Sequence, residues 1–282
     1  MSLRIIIDSA SDIPKAEADR LKLDFLPLKT LFGDKEYLDG ITLFPKQFYE
    51  LLIEGECMPT TSQVSPFEYT EVYEDVKAKG DTAIVITLSG KLSGTSQSAH
   101  IALEGFEDCV QIVDSENVCI GEQILIMQAV RLRDKGYSAD EIITELNQIK
   151  KNICVIALLD TLEYLKRGGR ISSTAAFAGN LLSIKPVIAI EHGEVAILGK
   201  ARGSKNGNNM LIELVNKSGG IDFTMPFTLG YTGLHDAMLQ KYIADSQFLW
   251  KDQTEQLPIS TIGSTIGTHA GPNAIAVSFF HK

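Results

Sequence analysis

The stretch AIVITLSGKLSGTSQSA, residues 83–99, joins a short apolar run to a loop dense in hydroxyls and glycines. The run AIVI is continuous and rich in β-branched residues, which is typical of a strand buried on both faces of a parallel sheet. A helix-like segment follows the loop. Because ligands bind outside the carboxyl ends of the strands in an open parallel sheet, the sequence predicts a binding rim at this loop.

The loop itself, residues 89–95, is neither a Walker A loop nor a G-x-G-x-x-G loop, so it does not specify nucleotide phosphates. Its hydroxyls and backbone N–H groups precede a helix and suit a smaller anion such as a carboxylate. A purely structural interpretation is also open, in which Ser93 or Thr95 caps the helix and the glycines turn the chain.

Similar β-branched runs occur elsewhere in the first half of the chain, with helix-like segments between them, at residues 4–8, 109–114 and 153–158. This βαβ order predicts an α/β fold whose N-terminal domain, residues 1–157, is a doubly wound parallel sheet. Ser65 and Ser138 each begin a capping box and predict helix starts. Closely spaced strands around the turn at 191–193 predict a hairpin, and residues 158–282 are predicted to form a second, α+β domain.

Composition excludes several classes of function. The chain has 282 residues, 44% of them hydrophobic, and a formal charge of −10, which disfavours nucleic acid and anionic membranes as partners. The apolar runs are too short for a signal peptide or a membrane span, so the expected location is the cytoplasm. The four cysteines lack metal-ligand spacing, and neither a metal nor a cofactor is predicted.

Several polar residues are candidates for chemistry. Asp8 and Asp12 follow the first strand, and we expect them to hold backbone N–H groups, Asp12 as an N-cap or in an Asx turn, rather than a metal. His269 lies in GTHAGP, which we predict to be a rigid loop able to present the imidazole to a carboxylate or as a base. Arg170 and the pair Arg202 and Lys205 belong to two locally basic segments whose default interpretation is solvated loops.

Six segments together resemble the DegV family of bacterial fatty-acid-binding proteins. They span almost the whole chain in a specific order: IIDSASDIP, the TSQ at residues 61–63, TLSGKLSGTSQSA, LDTLEYLKRGGRIS, SIKPVIAI and THAGP. The resemblance implies two α/β-type domains that enclose a long-chain fatty acid in an apolar tunnel at their interface. It also implies a non-enzymatic carrier, the acyl-carrying subunit of a fatty acid kinase, which presents the carboxylate to a separate ATP-binding kinase subunit.

The resemblance also implies roles for particular residues. Carried over by motif, Thr61, Ser93 and His269 would bind the fatty-acid carboxylate. Three further residues would shape the pocket, namely Ser62, Gly94 and Thr95. Partner-facing or phosphate-facing roles would fall to Arg170, Arg202 and Lys205.

Four positions depart from the usual pattern of the family. They are Val64 in place of proline, Ser96 in place of tyrosine, and Asn273 and Ala276 in place of glycines. Asparagine tolerates the left-handed region better than most residues, so Asn273 is the mildest change in the terminal loop.

Two other functions stay open on the sequence alone. The chain could be a small-molecule hydrolase or transferase that uses Ser93 with His269, or Asp8 with a metal, although no G-x-S-x-G elbow is present. It could also be a small-molecule sensor whose basic loops contact another protein. Intrinsic turnover would distinguish the enzyme, and failure to support acyl phosphate formation would distinguish the sensor.

Overall fold

The computed structural model describes residues 2–55, 57–171, 184–250 and 257–282. A parallel sheet of four strands lies in the N-terminal half, in the order β2, β1, β6, β7. Its strands are β1 (Leu3–Asp8), β2 (Leu23–Leu26), β6 (Thr82–Thr87) and β7 (Val110–Asp114). The helices of this half are α1 (Lys15–Arg20), α2 (Pro45–Glu54), α3 (Pro66–Ala78), α4 (Thr95–Ile101), α5 (Ile120–Asp134) and α6 (Ala139–Ile149).

Alternate residues of the central strands enter two separate cores. Ile5 and Ile7 pack on one face of the sheet with residues of α5 and α6. Ile6 packs on the other face with Tyr69 and Tyr73 of α3. Because both faces are covered, the strands are apolar without a polar side, which confirms the predicted doubly wound sheet. Both predicted capping boxes are present as well, at Ser65 and at Ser138.

A small antiparallel sheet is inserted after β2. It consists of β3 (Lys29–Phe32), β4 (Lys35–Leu38) and β5 (Thr60–Ser62), in the order β4, β3, β5. Thr30 on the central strand pairs with Thr61 on β5. The sequence analysis did not predict this sheet, whose strands are only three or four residues long.

The second half of the chain builds a mixed sheet of six strands, in the order β10, β9, β8, β13, β11, β12. Its strands are β8 (Ile153–Leu158), β9 (Ile184–Glu191), β10 (Glu194–Arg202), β11 (Thr228–Tyr231), β12 (Ile259–Thr261) and β13 (Ile275–Phe280). Its helices are α7 (Glu163–Arg167), α8 (Gly203–Lys217), α9 (Ala237–Asp245), α10 (Gln247–Trp250) and α11 (Ser264–Ala270). The antiparallel pairing of β9 with β10 confirms the predicted hairpin.

The prediction for residues 153–158 was wrong in one respect. This strand, β8, does not extend the parallel sheet but pairs antiparallel with both β9 and β13 in the second sheet. A buried apolar strand looks the same from sequence whether its neighbours are parallel or antiparallel, so the pattern could not assign it. The division of the chain at residue 157 stays a prediction, and we propose from the strand pairing that the boundary precedes residue 153.

The two faces of the six-stranded sheet carry different residues. Ile156 and Leu158 of β8 face a core that also contains residues of α8 and α9. Between them, Ala157 joins Ile188 and Ala276 in a second cluster on the opposite face, which lines a cavity. Because side chains alternate along a strand, the small alanines leave open space on that face. The chain thus brings one sheet face of the second half against the loop end of the first.

Candidate functional site

A cavity of about 340 Å³ lies between the loops of the parallel sheet and the open face of the six-stranded sheet. This volume falls within the range of about 300 to 1,000 Å³ usual for ligand sites. The wall is mainly apolar, with contributions from Leu28, Leu88, Leu92, Val118, Val155, Leu159, Leu165, Ile188, Val195, Ile262, Ile266 and Ala276. Such a wall favours an aliphatic ligand.

Most of the predicted site residues that line this wall come from three segments. Thr61 and Ser62 come from β5, Ser93 and Gly94 come from the loop before α4, and His269 comes from α11. With Arg170, which also lines the wall, the structure brings six of the predicted site residues to one cavity.

Thr61 and His269 form the central contact of the polar part. The Oγ1 atom of Thr61 lies 2.9 Å from Nε2 of His269, across 208 residues of sequence. The Nδ1 atom of His269 is buried and has no hydrogen-bond partner among the described residues. Burial, followed by the positive charge of Arg170, lowers the pKa of His269 to about 4, so the imidazole is neutral at pH 7.

Gly168 is the residue that makes room for this imidazole. A β-carbon at position 168 would lie 2.1 Å from Nδ1 of His269. The sequence analysis treated the segment around Gly168 as a basic loop and missed this role, for which no local signal exists. The packing fixes the imidazole in the orientation that reaches Thr61.

The predicted rigid loop around His269 was wrong. Residues 264–270 form the short helix α11, whose N-cap is Gly263. Asn273, beyond the helix, adopts φ 61°, the left-handed conformation that asparagine tolerates. Ala276 is a strand residue of β13 and its side chain contributes to the cavity wall.

Ser93 is held by the start of the next helix. Its hydroxyl lies 3.0 Å from the hydroxyl of Thr95 and accepts a hydrogen bond of 3.2 Å from the Thr95 N–H. Thr95 is buried at the first position of α4 and does not line the cavity itself. The N-cap of α4 is Gly94, which has no side chain to cap the helix, so the predicted cap at Ser93 or Thr95 was wrong. Ser93 nevertheless accepts from the N–H of the first helical residue and also lines the cavity.

Arg170 lines the cavity as well, and its guanidinium donates to the carbonyl oxygens of Leu92 and Gly168. It thereby links the Ser93 loop to the segment that packs on His269. Arg202 and Lys205, by contrast, are exposed at the end of β10 and the start of α8, away from the cavity wall. The three basic residues do not share one site in this structure.

Asp8 and Asp12 are structural, although Asp12 does not act in the predicted way. Asp8 accepts hydrogen bonds from the backbone N–H groups of Ala10 and Leu88, as expected. Asp12 caps no helix of its own and accepts instead from the N–H of Gly263, 251 residues away. In the described parts of the chain, no set of three or more His, Cys, Asp or Glu residues is placed to hold a metal ion.

The sequence analysis also missed Asp39. Its carboxylate is buried and accepts hydrogen bonds from the N–H and the hydroxyl of Ser264 at the start of α11. The only local signal, the Asp-Gly pair at residues 39–40, predicts a turn. Gly40 does adopt φ 73°, but the pair gives no indication of the partner at residue 264.

Comparison with known proteins gives a consistent result over the full length. The family model described as "Uncharacterised protein, DegV family" matches residues 2–282. A DegV domain-containing protein of Caldanaerobacter subterraneus is 35% identical over 283 residues, which covers 99% of each chain. The protein DegV of Bacillus subtilis is 30% identical over 285 residues and covers 100% of each chain. Within the described residues, no helix has the length and apolarity needed to cross a membrane.

Solved structures agree with the family model. A DegV family protein of Thermus thermophilus, described by its fatty-acid binding, has a TM-score of 0.87 and 28% identity, with 100% of each chain covered. The structure of Bacillus subtilis DegV, described as a fatty-acid-binding protein, has a TM-score of 0.84 and 29% identity, again with full coverage of both chains. The chain therefore belongs to the DegV family.

Proposed function

We propose that this protein binds a long-chain fatty acid in the apolar cavity and presents its carboxylate to a separate ATP-dependent kinase that forms an acyl phosphate. One observation carries the binding part of the proposal: in the wall of a mainly apolar cavity, the hydroxyl of Thr61 and the neutral imidazole of His269 lie within hydrogen-bond distance of each other. Related proteins described as fatty-acid-binding support the same ligand class.

The two parts of the cavity would act differently on the ligand. Each buried methylene contributes roughly 0.8 kcal/mol, so the apolar wall supplies most of the affinity. A buried carboxylate needs hydrogen bonds to offset its desolvation. The hydroxyls of Thr61 and Ser93 and the imidazole of His269 would supply them, and the positive charge of Arg170 would favour the anion.

Mass spectrometry of the purified protein tests the binding step. We expect a long-chain fatty acid at about one per chain after purification without added lipid. Thr61→Val and Ser93→Ala should each deplete it, because each removes a head-group hydroxyl with little change in volume. Thr70→Val is the matched control, since the Thr70 hydroxyl bonds only the carbonyl of Pro66 on α3 and lies away from the cavity. An empty wild-type protein that also refuses added stearate would contradict the proposal.

A second assay tests the carrier role. The loaded protein, ATP and a fatty acid kinase subunit are combined, and acyl phosphate is trapped as the hydroxamate with hydroxylamine. We expect product only when all three are present. Turnover by the purified protein alone, abolished by Ser93→Ala, would support the hydrolase or transferase alternative instead. Arg202→Ala and Lys205→Ala should lower product formation without changing the bound fatty acid, if these exposed cations face the kinase.

A further inference from the structure

The short helix α11 is attached to the small antiparallel sheet at two points. Near its end, His269 contacts Thr61 on β5. At its start, the hydroxyl of Ser264 lies 2.8 Å from that of Thr30 on β3, the strand residue that pairs with Thr61. Five residues of helix span about 7.5 Å, so the two attachments lie more than one turn apart. Both attachments constrain where the imidazole lies.

A carboxylate from the same sheet region secures the attachment at Ser264. Asp39, directly after β4, accepts hydrogen bonds from the Ser264 N–H at 2.9 Å and from the Ser264 hydroxyl at 2.7 Å through Oδ1. Its Oδ2 accepts from the hydroxyl of Ser9 at 3.1 Å. Asp39, Ser9 and Ser264 are all buried, at 2%, 4% and 0% exposure. Asp39 is thus oriented by one partner and holds the helix start with its other oxygen.

The helix lacks a cap of its own. Its N-cap residue is Gly263, which has no side chain to accept from the first N–H groups. Asp12 accepts from the Gly263 N–H at 2.7 Å, and Tyr49 donates to the carbonyl of Ile262 at 3.1 Å. An isolated helix of seven residues is unstable in water, so its position depends on such contacts with the rest of the molecule.

We infer that Asp39 is a positioning residue for the head-group site, one that acts on the ligand through α11 and His269. This inference rests on the proposed function, because the ligand that His269 meets is the fatty-acid carboxylate. Asp39 does not line the cavity and cannot bind that carboxylate itself. Its negative charge favours the start of the helix, and its two hydrogen bonds to Ser264 fix the position of the helix.

Stearate titration of the delipidated protein, in two backgrounds, tests the inference. Asp39→Ala should weaken stearate binding at least about tenfold in the wild-type background, as expected for loss of a charge-assisted cap. In the His269→Ala background the same change should alter affinity less than about twofold, because the group through which Asp39 acts is already gone. Asp39→Asn keeps one oxygen acceptor and should recover part of the affinity.

The free energy of unfolding is measured in parallel. If Asp39 only supported the fold, Asp39→Ala would lower stearate affinity equally in the two backgrounds. Ser246→Ala is the matched control, because it removes a buried hydroxyl that bonds Tyr242 and Trp250 in the second half, remote from α11. It should lower the free energy of unfolding and leave stearate affinity unchanged. An equal loss of affinity from Asp39→Ala in both backgrounds, or no loss in the wild-type background, would overturn the inference.

A ligand-free readout keeps this result separate from the proposed function. The ¹⁵N chemical shifts of the His269 imidazole report the contact of Nε2 with Thr61 directly. We expect Asp39→Ala to move these shifts toward the values of Thr61→Val, even if wild-type protein binds no stearate. Unchanged shifts in a folded Asp39→Ala or Asp39→Asn variant would overturn the positioning role, whereas absent stearate binding with moved shifts would contradict only the proposed ligand.

Discussion

Two polar regions meet at α11, one buried and one partly buried, and they differ in the chemistry of their side chains. The first region, the carboxylate cluster, consists of Asp8, Asp12 and Asp39, whose oxygens accept mainly from backbone N–H groups and serine hydroxyls. The second region, the polar end of the cavity, contains the neutral hydroxyls and the neutral imidazole of Thr61, Ser93 and His269. Carboxyl groups hold the backbone, whereas hydroxyls and an imidazole face the cavity beside the guanidinium of Arg170.

The difference has a physical reason. Burial of a carboxylate is costly unless donors surround it, and Asp8 and Asp39 each accept from two or more groups, which leaves fewer of their lone pairs for a ligand. A neutral hydroxyl or imidazole is less costly to leave open to a cavity, and it becomes satisfied when an anionic ligand arrives. The comparison teaches that the acidic motif after the first strand is structural, whereas the hydroxyl-rich loop is suited to binding. Changes at Asp8, which holds the N–H groups of Ala10 and Leu88, should affect stability, whereas changes at Asp39, which holds the start of α11, should also affect the ligand. Changes in the second region should affect the ligand directly.

The largest expected effect is on stability, from Asp8→Ala. The change leaves the buried N–H groups of Ala10 and Leu88 without their acceptor, which should lower the free energy of unfolding by about 2 to 4 kcal/mol. Denaturant titration measures the loss. Fatty-acid affinity of the folded variant should stay within about threefold of wild type, and a tenfold loss would contradict the purely structural role assigned to Asp8.

The next effect is on the ligand, from Gly168→Ala. The new methyl group would overlap Nδ1 of His269, although the backbone at φ −71° suits alanine. The imidazole must then rotate away from Thr61, and stearate affinity should fall about tenfold, as measured by titration. The double variant Gly168→Ala/His269→Ala is the control, because the smaller side chain leaves room for the methyl group. It should be no weaker in binding than His269→Ala alone.

The carboxylate cluster should gain stability as the pH falls. Burial raises the pKa of Asp8 to about 7, while the N–H groups of Leu88 and Ala10 act in the opposite direction. Because the unfolded carboxyl has a pKa of about 3.9, stability is fully present below that value and is lost as the pH rises toward 7. Between pH 7 and pH 5.5 Asp8 should therefore contribute a gain of about 1 to 2 kcal/mol. Denaturant titrations of Asp8→Asn at both pH values should lack this gain in the free energy of unfolding. A variant with the same pH dependence as wild type would contradict the assignment of the gain to Asp8.

The polar end of the cavity should respond to pH in the opposite direction. The pKa of His269, lowered to about 4 by burial and then by Arg170, lies below the unfolded value of about 6.5. Stability from the neutral imidazole is therefore present above pH 6.5 and is lost as the pH falls toward 4. Between pH 7 and pH 5.5 the loss should be about 1 kcal/mol, and His269→Gln should not show it.

NMR titration of the same imidazole sharpens this comparison. A carboxylate bound beside His269 favours the charged form and should raise its pKa. A ligand-bound protein whose His269 titrates at the same pH as the empty protein would place the carboxylate elsewhere in the cavity.

The elements that the sequence predicted well are those with local causes. Ser65 and Ser138 cap their helices through a glutamate three residues later, and both partners are visible in one short window. The hairpin at 191–193 depends on a turn between two apolar runs and is local in the same sense. The strand at 153–158 was assigned to the wrong sheet because its pairing depends on strands that follow it in the chain.

The resemblance predicted more of the site than the residue patterns did. The motifs placed Thr61, Ser93 and His269 in one site, and all three do line one cavity. Asp39 lies outside the six matching segments, and Gly168 lies in one of them without a role implied for it, because their roles are contacts with Ser264 and His269. Such contacts join segments more than 100 residues apart, and no local pattern records them.

The sequence by itself determined the parallel sheet, its loop at residues 89–95, the capped helices and the hydroxyls that precede α4, because periodicity and capping act over a few residues. Only the tertiary structure decided that β8 joins the second sheet, that α11 is a helix, and that the carboxylate of Asp39 holds its first turn. These outcomes depend on which segments meet in space. Each of these contacts matters energetically because a buried polar group without a hydrogen-bond partner is costly, and its partner can come from a distant part of the chain.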